Sequence, residues 1–271
     1  MPSITVNGTE IYYELKGSGP SLLVISGATG DAGHFERVAD LLADELVVVT
    51  YDRRGNSRSP SPEGWDTTSP DEQADDAAAL LTALELGPAA VFGNSYGAII
   101  ALNLVIRHPE VVRGAILHEP PLISVLERPE ETQAAVGGAV EKGMASGGPP
   151  AAVETFIRFA AGDANWERLE PDLRERMQGN GKTLFEIEMG KFEEYRPDDA
   201  TLGAVSVPVE VLVSEESAPF FTEAAGWLAE RLGLEIARTP GTHTPQWDRP
   251  EELVNTIRSF LRRVEAKATA S

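Results

Sequence analysis

Short apolar runs bounded by turn residues recur along this chain, with helical patterns between them, and that rhythm restricts the fold more than any other feature. Residues 3–15 alternate apolar and polar around Asn7-Gly8, a pair that favours a tight hairpin. Leu22 to Ile25 is an apolar run of the kind buried on both faces of a parallel sheet. A helical pattern follows from Phe35 to Leu42, then a strand pattern from Leu46 to Val49 that exits at Tyr51-Asp52. Asp71 to Leu86 reads as a helix stopped by Gly87-Pro88. Ala90 to Phe92 is the next strand, Gly97 to Arg107 the next helix, and Gly114 to Leu117 another strand.

Strands alternating with helices imply right-handed crossovers and a parallel sheet covered on both faces. The rhythm changes after Pro120-Pro121. Residues 124–204 carry helical patterns, with Gly137-Gly138 and Gly147-Gly148-Pro149-Pro150 expected to break them into short pieces. Strand patterns resume at Val209 to Val213 and near Leu234 to Ala237, and an amphipathic helix covers Glu251 to Val264. The expected layout is an α/β core over residues 1–121 and 205–271, interrupted by a helical lid over 122–204.

Against this layout, one pentapeptide gains weight. Gly93-Asn94-Ser95-Tyr96-Gly97 fits Gly-x-Ser-x-Gly, follows a strand and opens a helix. That context makes it a nucleophile elbow, with Ser95 lifted above the C-terminal edge of the sheet, where ligands bind in open α/β folds. The helix behind it turns N–H groups toward the same point, which favours developing negative charge.

Here the chain resembles the α/β-hydrolase superfamily, over nearly its whole length. Ser26-Gly27-Ala28-Thr29-Gly30 stands where the family has its oxyanion loop. Asp52-Arg53-Arg54-Gly55-Asn56-Ser57-Arg58-Ser59 is similar to the family turn Asp-x-Arg-Gly-x-Gly-x-Ser, with Ser57 replacing a glycine. Gly241-Thr242-His243-Thr244-Pro245 resembles the loop that carries the family histidine. The resemblance implies an α/β-hydrolase fold, a mostly parallel sheet with helices on both faces and a helical lid.

A serine hydroxyl needs a base to become a nucleophile, and histidine suits the task near neutral pH. Of His34, His108, His118 and His243, only His243 follows the last strand, as the order serine, acid, histidine requires. His108 reads as a helix C-terminal cap, His118 as a packed or hydrogen-bonded residue, and His34 as the start of a helix near the oxyanion loop. The family usually takes its acid from the loop after Val209 to Val213, which here reads Ser214-Glu215-Glu216-Ser217. Some branches take it from the end of the strand after the nucleophile helix, where this chain has Leu117-His118-Glu119-Pro120. Glu119 is the first choice and Glu216 or Glu215 the second. The Glu119 placement, with no His-Gly in the oxyanion loop, is similar to the zearalenone lactonases. Backbone N–H groups of Ala28 and Tyr96 are expected to form the oxyanion hole. A serine at position 95 argues against haloalkane dehalogenase and epoxide hydrolase chemistry, which use a carboxylate nucleophile.

The reading is a serine hydrolase for a small apolar ester or lactone. A cofactor-independent dioxygenase and a C–C hydrolase of the same fold are the alternatives, with a non-catalytic binding protein behind them. Phe156, Phe159, Trp166, Phe185, Phe192 and Tyr195 supply either a lid core or a pocket lining, and Trp65 and Tyr96 are further candidates for that pocket. With 23 basic and 43 acidic residues the net charge is −20, which argues against nucleic acid and anionic membranes as partners. Four histidines and no cysteine make a transition-metal site or a disulfide an unfavoured expectation. No cofactor is expected. The opening residues lack a basic and then apolar secretory pattern, so the expected location is cytoplasmic.

Overall fold

Turn chemistry sets the start of the sheet. In the computed structural model, which describes residues 2–270 and side chains as far as residue 267, β1 (Ser3–Val6) and β2 (Thr9–Gly17) form an antiparallel hairpin. Asn7 and Gly8 turn it with φ of 47° and 75°, the left-handed pair whose twist matches the flanking strands.

The chain then alternates: β3 (Ser21–Ile25), α1 (Glu36–Leu42), β4 (Val47–Tyr51), α2 (Pro70–Ala83), β5 (Ala89–Asn94), α3 (Tyr96–Arg107) and β6 (Val112–His118). Helix α2 ends short of Gly87-Pro88 because Glu85 takes a left-handed conformation, φ 57°. The insertion follows, with α4 (Pro129–Ala161), α5 (Asp163–Arg168), α6 (Pro171–Gly179), a π-helical turn (Thr183–Glu188), α7 (Met189–Glu194) and α8 (Asp199–Gly203). The core resumes with β7 (Val209–Ser214), α9 (Pro219–Leu232), β8 (Ile236–Thr239), α10 (Pro245–Asp248) and α11 (Pro250–Ala270).

One eight-stranded sheet results, in the order β1-β2-β4-β3-β5-β6-β7-β8. β2 joins β4 antiparallel, and every pairing from β4 to β8 is parallel. All residues of β3 and β5 are buried, as sheets covered on both faces require. Helices α1 and α11 cover one face through Leu42, Leu253 and Ile257, against Leu22, Phe92 and Leu212. Helices α2, α3 and α9 cover the other through Leu81, Ile99 and Leu228, against Leu23, Val91 and Val211. Each such side chain contributes roughly 1.5–3 kcal/mol by leaving water.

The insertion builds a small core of its own from Val153, Ile157, Ala161, Trp166, Leu169 and Met177. Gly137 and Gly138 do not break α4, contrary to the expectation from sequence. Both keep helical geometry with open space where a Cβ would stand. The break falls at Gly147 and Gly148, the latter left-handed at φ 71°, because Pro149 and Pro150 cannot continue the preceding helix. Among the described residues, no helix is long and apolar enough to cross a membrane.

Glycine roles differ sharply between these places. At Gly97 an added Cβ would lie 2.2 Å from the Ile25 carbonyl oxygen, whereas at Gly138 it would meet nothing. Gly97→Ala should cost roughly 4 kcal/mol or more, or abolish folding. Gly138→Ala should stabilise by roughly 0.5–1 kcal/mol and raise Tm by about 2–4 °C. Thermal unfolding of the two variants checks both signs.

Candidate active site

Ser95 lies between β5 and α3 with φ 57° and ψ −126°, a conformation that costs a non-glycine residue of order 1–3 kcal/mol. Its neighbours make that turn possible. A Cβ on Gly93 would stand 2.3 Å from the Gly97 carbonyl oxygen, and one on Gly27 would stand 2.9 Å from Ser95 Cβ. The Ser95 N–H donates to the His118 carbonyl at 2.9 Å, which fixes the turn against β6. The Ser95 side chain opens on a cavity of about 730 Å³, counting its mouth, at the C-terminal edge of the sheet. Among the described residues no hydrogen bond holds the Ser95 hydroxyl, and His243 lines the same cavity. Nucleophile–base contacts are often loose without substrate.

Glu119 is fully buried immediately beyond β6, in a left-handed conformation (φ 50°). Its N–H donates to the Leu212 carbonyl, and its Oε1 accepts the Ser214 N–H at 2.7 Å. Its Oε2 accepts from His243 Nδ1 at 2.5 Å. His243 therefore carries its proton on Nδ1 and keeps Nε2 as an acceptor. Burial alone would raise the Glu119 carboxyl, but His118 beside it and the bond from His243 hold it down at about 2. Phe221 stacks on the His243 ring at 4.0 Å, and Asn94 donates to the His243 carbonyl at 3.1 Å. The second choice for the acid is placed elsewhere. Glu215 and Glu216 are exposed, their N–H groups bonded to the Thr239 and Gly241 carbonyls.

The other histidines have local roles. His118 is fully buried; its Nδ1 accepts from Asn94 at 2.8 Å and its Nε2 donates to Ser214 Oγ at 2.9 Å. It does not turn wholly away from Glu119, since its Nε2 stands 3.7 Å from Oε1. His108 ends α3 and bonds Asp75 at 2.7 Å. His34 closes a capping box with Asp31 and lines the cavity.

The loop at Ala28 is clamped from below. Asp52 accepts both Arg58 Nε and Nη2 and the Ala32 N–H. Ser57 stands in the left-handed region, φ 48°, which explains the glycine in the related motif. Its hydroxyl reaches Asp31 at 3.2 Å, so the serine gains a partner that a glycine lacks. Arg53 is buried and forms a paired salt bridge with Glu188 of the π-helical turn. The same guanidinium donates to the Gly27 carbonyl at 3.2 Å, and the Gly30 N–H donates to it at 3.1 Å. Because that peptide is trans, the Ala28 N–H points away from Arg53, and among the described residues it donates to no protein acceptor. Sequence patterns gave no sign of Glu188, a lone acid in a helical stretch far from Arg53 along the chain.

The aromatic residues of the insertion divide. Phe156, Phe159 and Phe192 line the cavity; Trp166 belongs to the insertion's own core. Phe185 packs against Phe156, and Tyr195 donates to Asn103 at 3.1 Å. Tyr96 lines the cavity and packs on Phe192 at 5.0 Å, with Arg53 over its ring. Trp65 does not reach the cavity; it lies over Gly55 and donates to Glu72. Phe220, Phe221, Gln246 and Trp247 line it without having been expected from sequence.

Burial depresses the His118 imidazole from 6.5 to about 4, with Glu119 opposing and His243 adding to the fall. The folded state thus takes up this proton less readily than the unfolded chain. Its contribution is complete above pH 6.5 and is lost as pH falls through about 4. The Glu119 contribution persists to lower pH, from 4.5 down to about 2. Tm should therefore drop between pH 6.5 and 4, and His118→Gln should flatten that drop, as pH-resolved thermal unfolding would register.

The described geometry has relatives. The model of the "Alpha/beta hydrolase family" matches residues 22–256. The chain is 36% identical over 259 residues to the uncharacterized hydrolase YraK of Bacillus subtilis, covering 89% of each chain. It is 28% identical over 275 residues to a zearalenone hydrolase of Cladophialophora bantiana, covering 95% of this chain and 96% of that one. A thermophilic esterase from Thermogutta terrifontis shares the fold, with a TM-score of 0.76, 23% identity and 97% of both chains covered. The chain thus belongs to the alpha/beta hydrolase family, and it is a hydrolase.

Proposed function

We propose that the protein is a serine hydrolase that cleaves an apolar carboxylic ester or lactone through an acyl-enzyme on Ser95. The observation that carries this reading is the 2.5 Å bond from His243 Nδ1 to Glu119, because it leaves Nε2 free to act as base in the cavity that holds Ser95.

His243 Nε2 takes the Ser95 proton as Oγ attacks the carbonyl carbon. The tetrahedral oxyanion is held by the N–H groups of Ala28 and Tyr96, each worth about 2.7–4 kcal/mol of barrier in other serine hydrolases. Arg53 supports this by holding the Gly27 carbonyl, which orients the Ala28 N–H. The imidazolium then protonates the leaving alkoxide, and for a lactone the freed hydroxyl stays on the acyl chain. Water deprotonated by His243 releases the acid. Glu119 keeps the imidazole in one tautomer and stabilises its charged form. Residues 122–204 act as a lid over a core of 1–121 and 205–271, contributing Phe156, Phe159 and Phe192 to the apolar wall. The similarity to a zearalenone hydrolase favours a lactone among the possible substrates.

Steady-state kinetics on short-chain p-nitrophenyl esters and aryl lactones test the roles. Ser95→Ala and His243→Ala should each lower kcat by about 10⁴ or more, and Glu119→Gln by about 10²–10⁴. Glu216→Gln should stay within about twofold of the parent enzyme, as an exposed substitution does. Ester turnover that survives Ser95→Ala, or that collapses in Glu216→Gln and not in Glu119→Gln, contradicts the reading.

A further inference from the structure

Asn94 and His118 form a connected polar pair beside Ser95 and His243 that acyl transfer does not by itself require. Asn94 closes β5 and His118 closes β6, and the two stand opposite each other in the parallel register. Both are buried. Asn94 Nδ2 lies 3.1 Å from the His243 carbonyl oxygen and 2.8 Å from His118 Nδ1. His118 Nε2 lies 2.9 Å from Ser214 Oγ, and the Ser214 N–H donates to Glu119 at 2.7 Å.

The direction of every bond follows from one atom. A carbonyl oxygen only accepts, so the Asn94 amide turns its NH₂ group, and not its oxygen, toward His243. The other hydrogen of that group meets His118 Nδ1, which must be unprotonated to receive it. The imidazole proton is left on Nε2, where Ser214 Oγ accepts it. Burial favours this neutral ring, holding the imidazole down at about 4. Both ring nitrogens of His118 and both amide hydrogens of Asn94 therefore have partners.

Glu119 and Phe221 fix how the His243 ring turns, but not where its loop stands relative to Ser95. The Thr242 N–H donates to Asp248, and the Gly241 carbonyl accepts from the Glu216 N–H, both partners coming from the chain after β7. The Asn94 bond instead ties the His243 main chain to the residue that precedes the nucleophile. A misplacement of about 1 Å between reacting groups costs on the order of 10²-fold in rate, so this tie bears on chemistry.

We propose that Asn94 is a positioning residue for the His243 base, held in its donating orientation by the Nδ1 acceptor of His118. The proposal rests on the serine-hydrolase reading, and the two fail differently. Turnover that survives Ser95→Ala overturns that reading. Turnover lost in Ser95→Ala but kept in the Asn94 variants overturns only the proposal.

Steady-state kinetics on p-nitrophenyl acetate, with Tm measured for each variant, test it. Asn94→Ala and the isosteric Asn94→Asp both remove the donors and should lower kcat by about 10- to 100-fold. At position 118 the two ring nitrogens can be replaced one at a time. His118→Asn keeps an acceptor at the Nδ1 position and leaves a void. His118→Gln fills more of the space and reaches toward Ser214, but loses that acceptor. Tm should be the lower for His118→Asn, as the larger void requires. Its kcat should nevertheless stay within about threefold of the parent, while His118→Gln loses about tenfold in kcat at a KM within about twofold. A purely structural role would make kcat follow Tm, and that order overturns the proposal. Asn94→Ala and Asn94→Asp that both keep more than about half the parent kcat also overturn it. These two variants decide the matter where a His118 variant does not fold.

Discussion

The backbone reversal at Ser95 sets the positions of everything around it. The chain leaves β5, turns at φ 57° and starts α3 so close to β3 that a Cβ at position 97 would meet the Ile25 carbonyl at 2.2 Å. Only glycine at 27, 93 and 97 lets the strand, the loop and the helix approach this closely. The Ser95 N–H then bonds the His118 carbonyl, in register with the Asn94–His118 pairing of β5 and β6. Glu119 is thereby fixed one residue beyond β6, and its own N–H continues the ladder to Leu212 of β7. The His243 loop comes over from β8 and meets Glu119 across the end of β7, where the Ser214 N–H fills the remaining carboxylate oxygen. An acid in this position is expensive to bury alone; the donors His243 Nδ1 and Ser214 N–H make it stable as an anion.

A second set of buried charges joins the insertion to the core. Arg53 of the core and Glu188 of the insertion meet as a buried pair, with Gln73 bonded to both. Such a pair adds little over a well-packed apolar substitute, yet removing one partner costs roughly 3–5 kcal/mol. Its value here is positional. It ties a π-helical turn of the insertion to the Gly27 peptide, so the placement of the insertion and the direction of the Ala28 N–H are set together. Arg176 to Asp31 and Asn180 to the Thr29 carbonyl repeat the same logic at the loop's other end.

Much of this was legible in the sequence because strand rhythm alone identifies one edge of the sheet. Once β5 and α3 are recognised around Gly93 to Gly97, the serine has only one place to go, and a histidine after the last strand comes to the same edge. Glu119 was harder, since a charged residue after an apolar run also fits a solvated strand end; what separates the readings is burial, which depends on β7 and the His243 loop. Gly137-Gly138 was misread because an exposed helix tolerates glycine when nothing else interrupts it. Trp65 was misplaced because the left-handed Gly55 opens a seat for its ring away from the cavity. Glu188, Gln246 and Trp247 carry no periodic signal at all; their positions follow from tertiary docking, which local pattern does not encode.

The central claim, a covalent acyl-enzyme on Ser95, is tested most directly by a fluorophosphonate probe read by intact mass and peptide mapping. One adduct on the peptide containing Ser95, absent in Ser95→Ala and strongly slowed in His243→Ala, is the result the account predicts. Ester turnover by a protein that the probe leaves unmodified at Ser95 would contradict it.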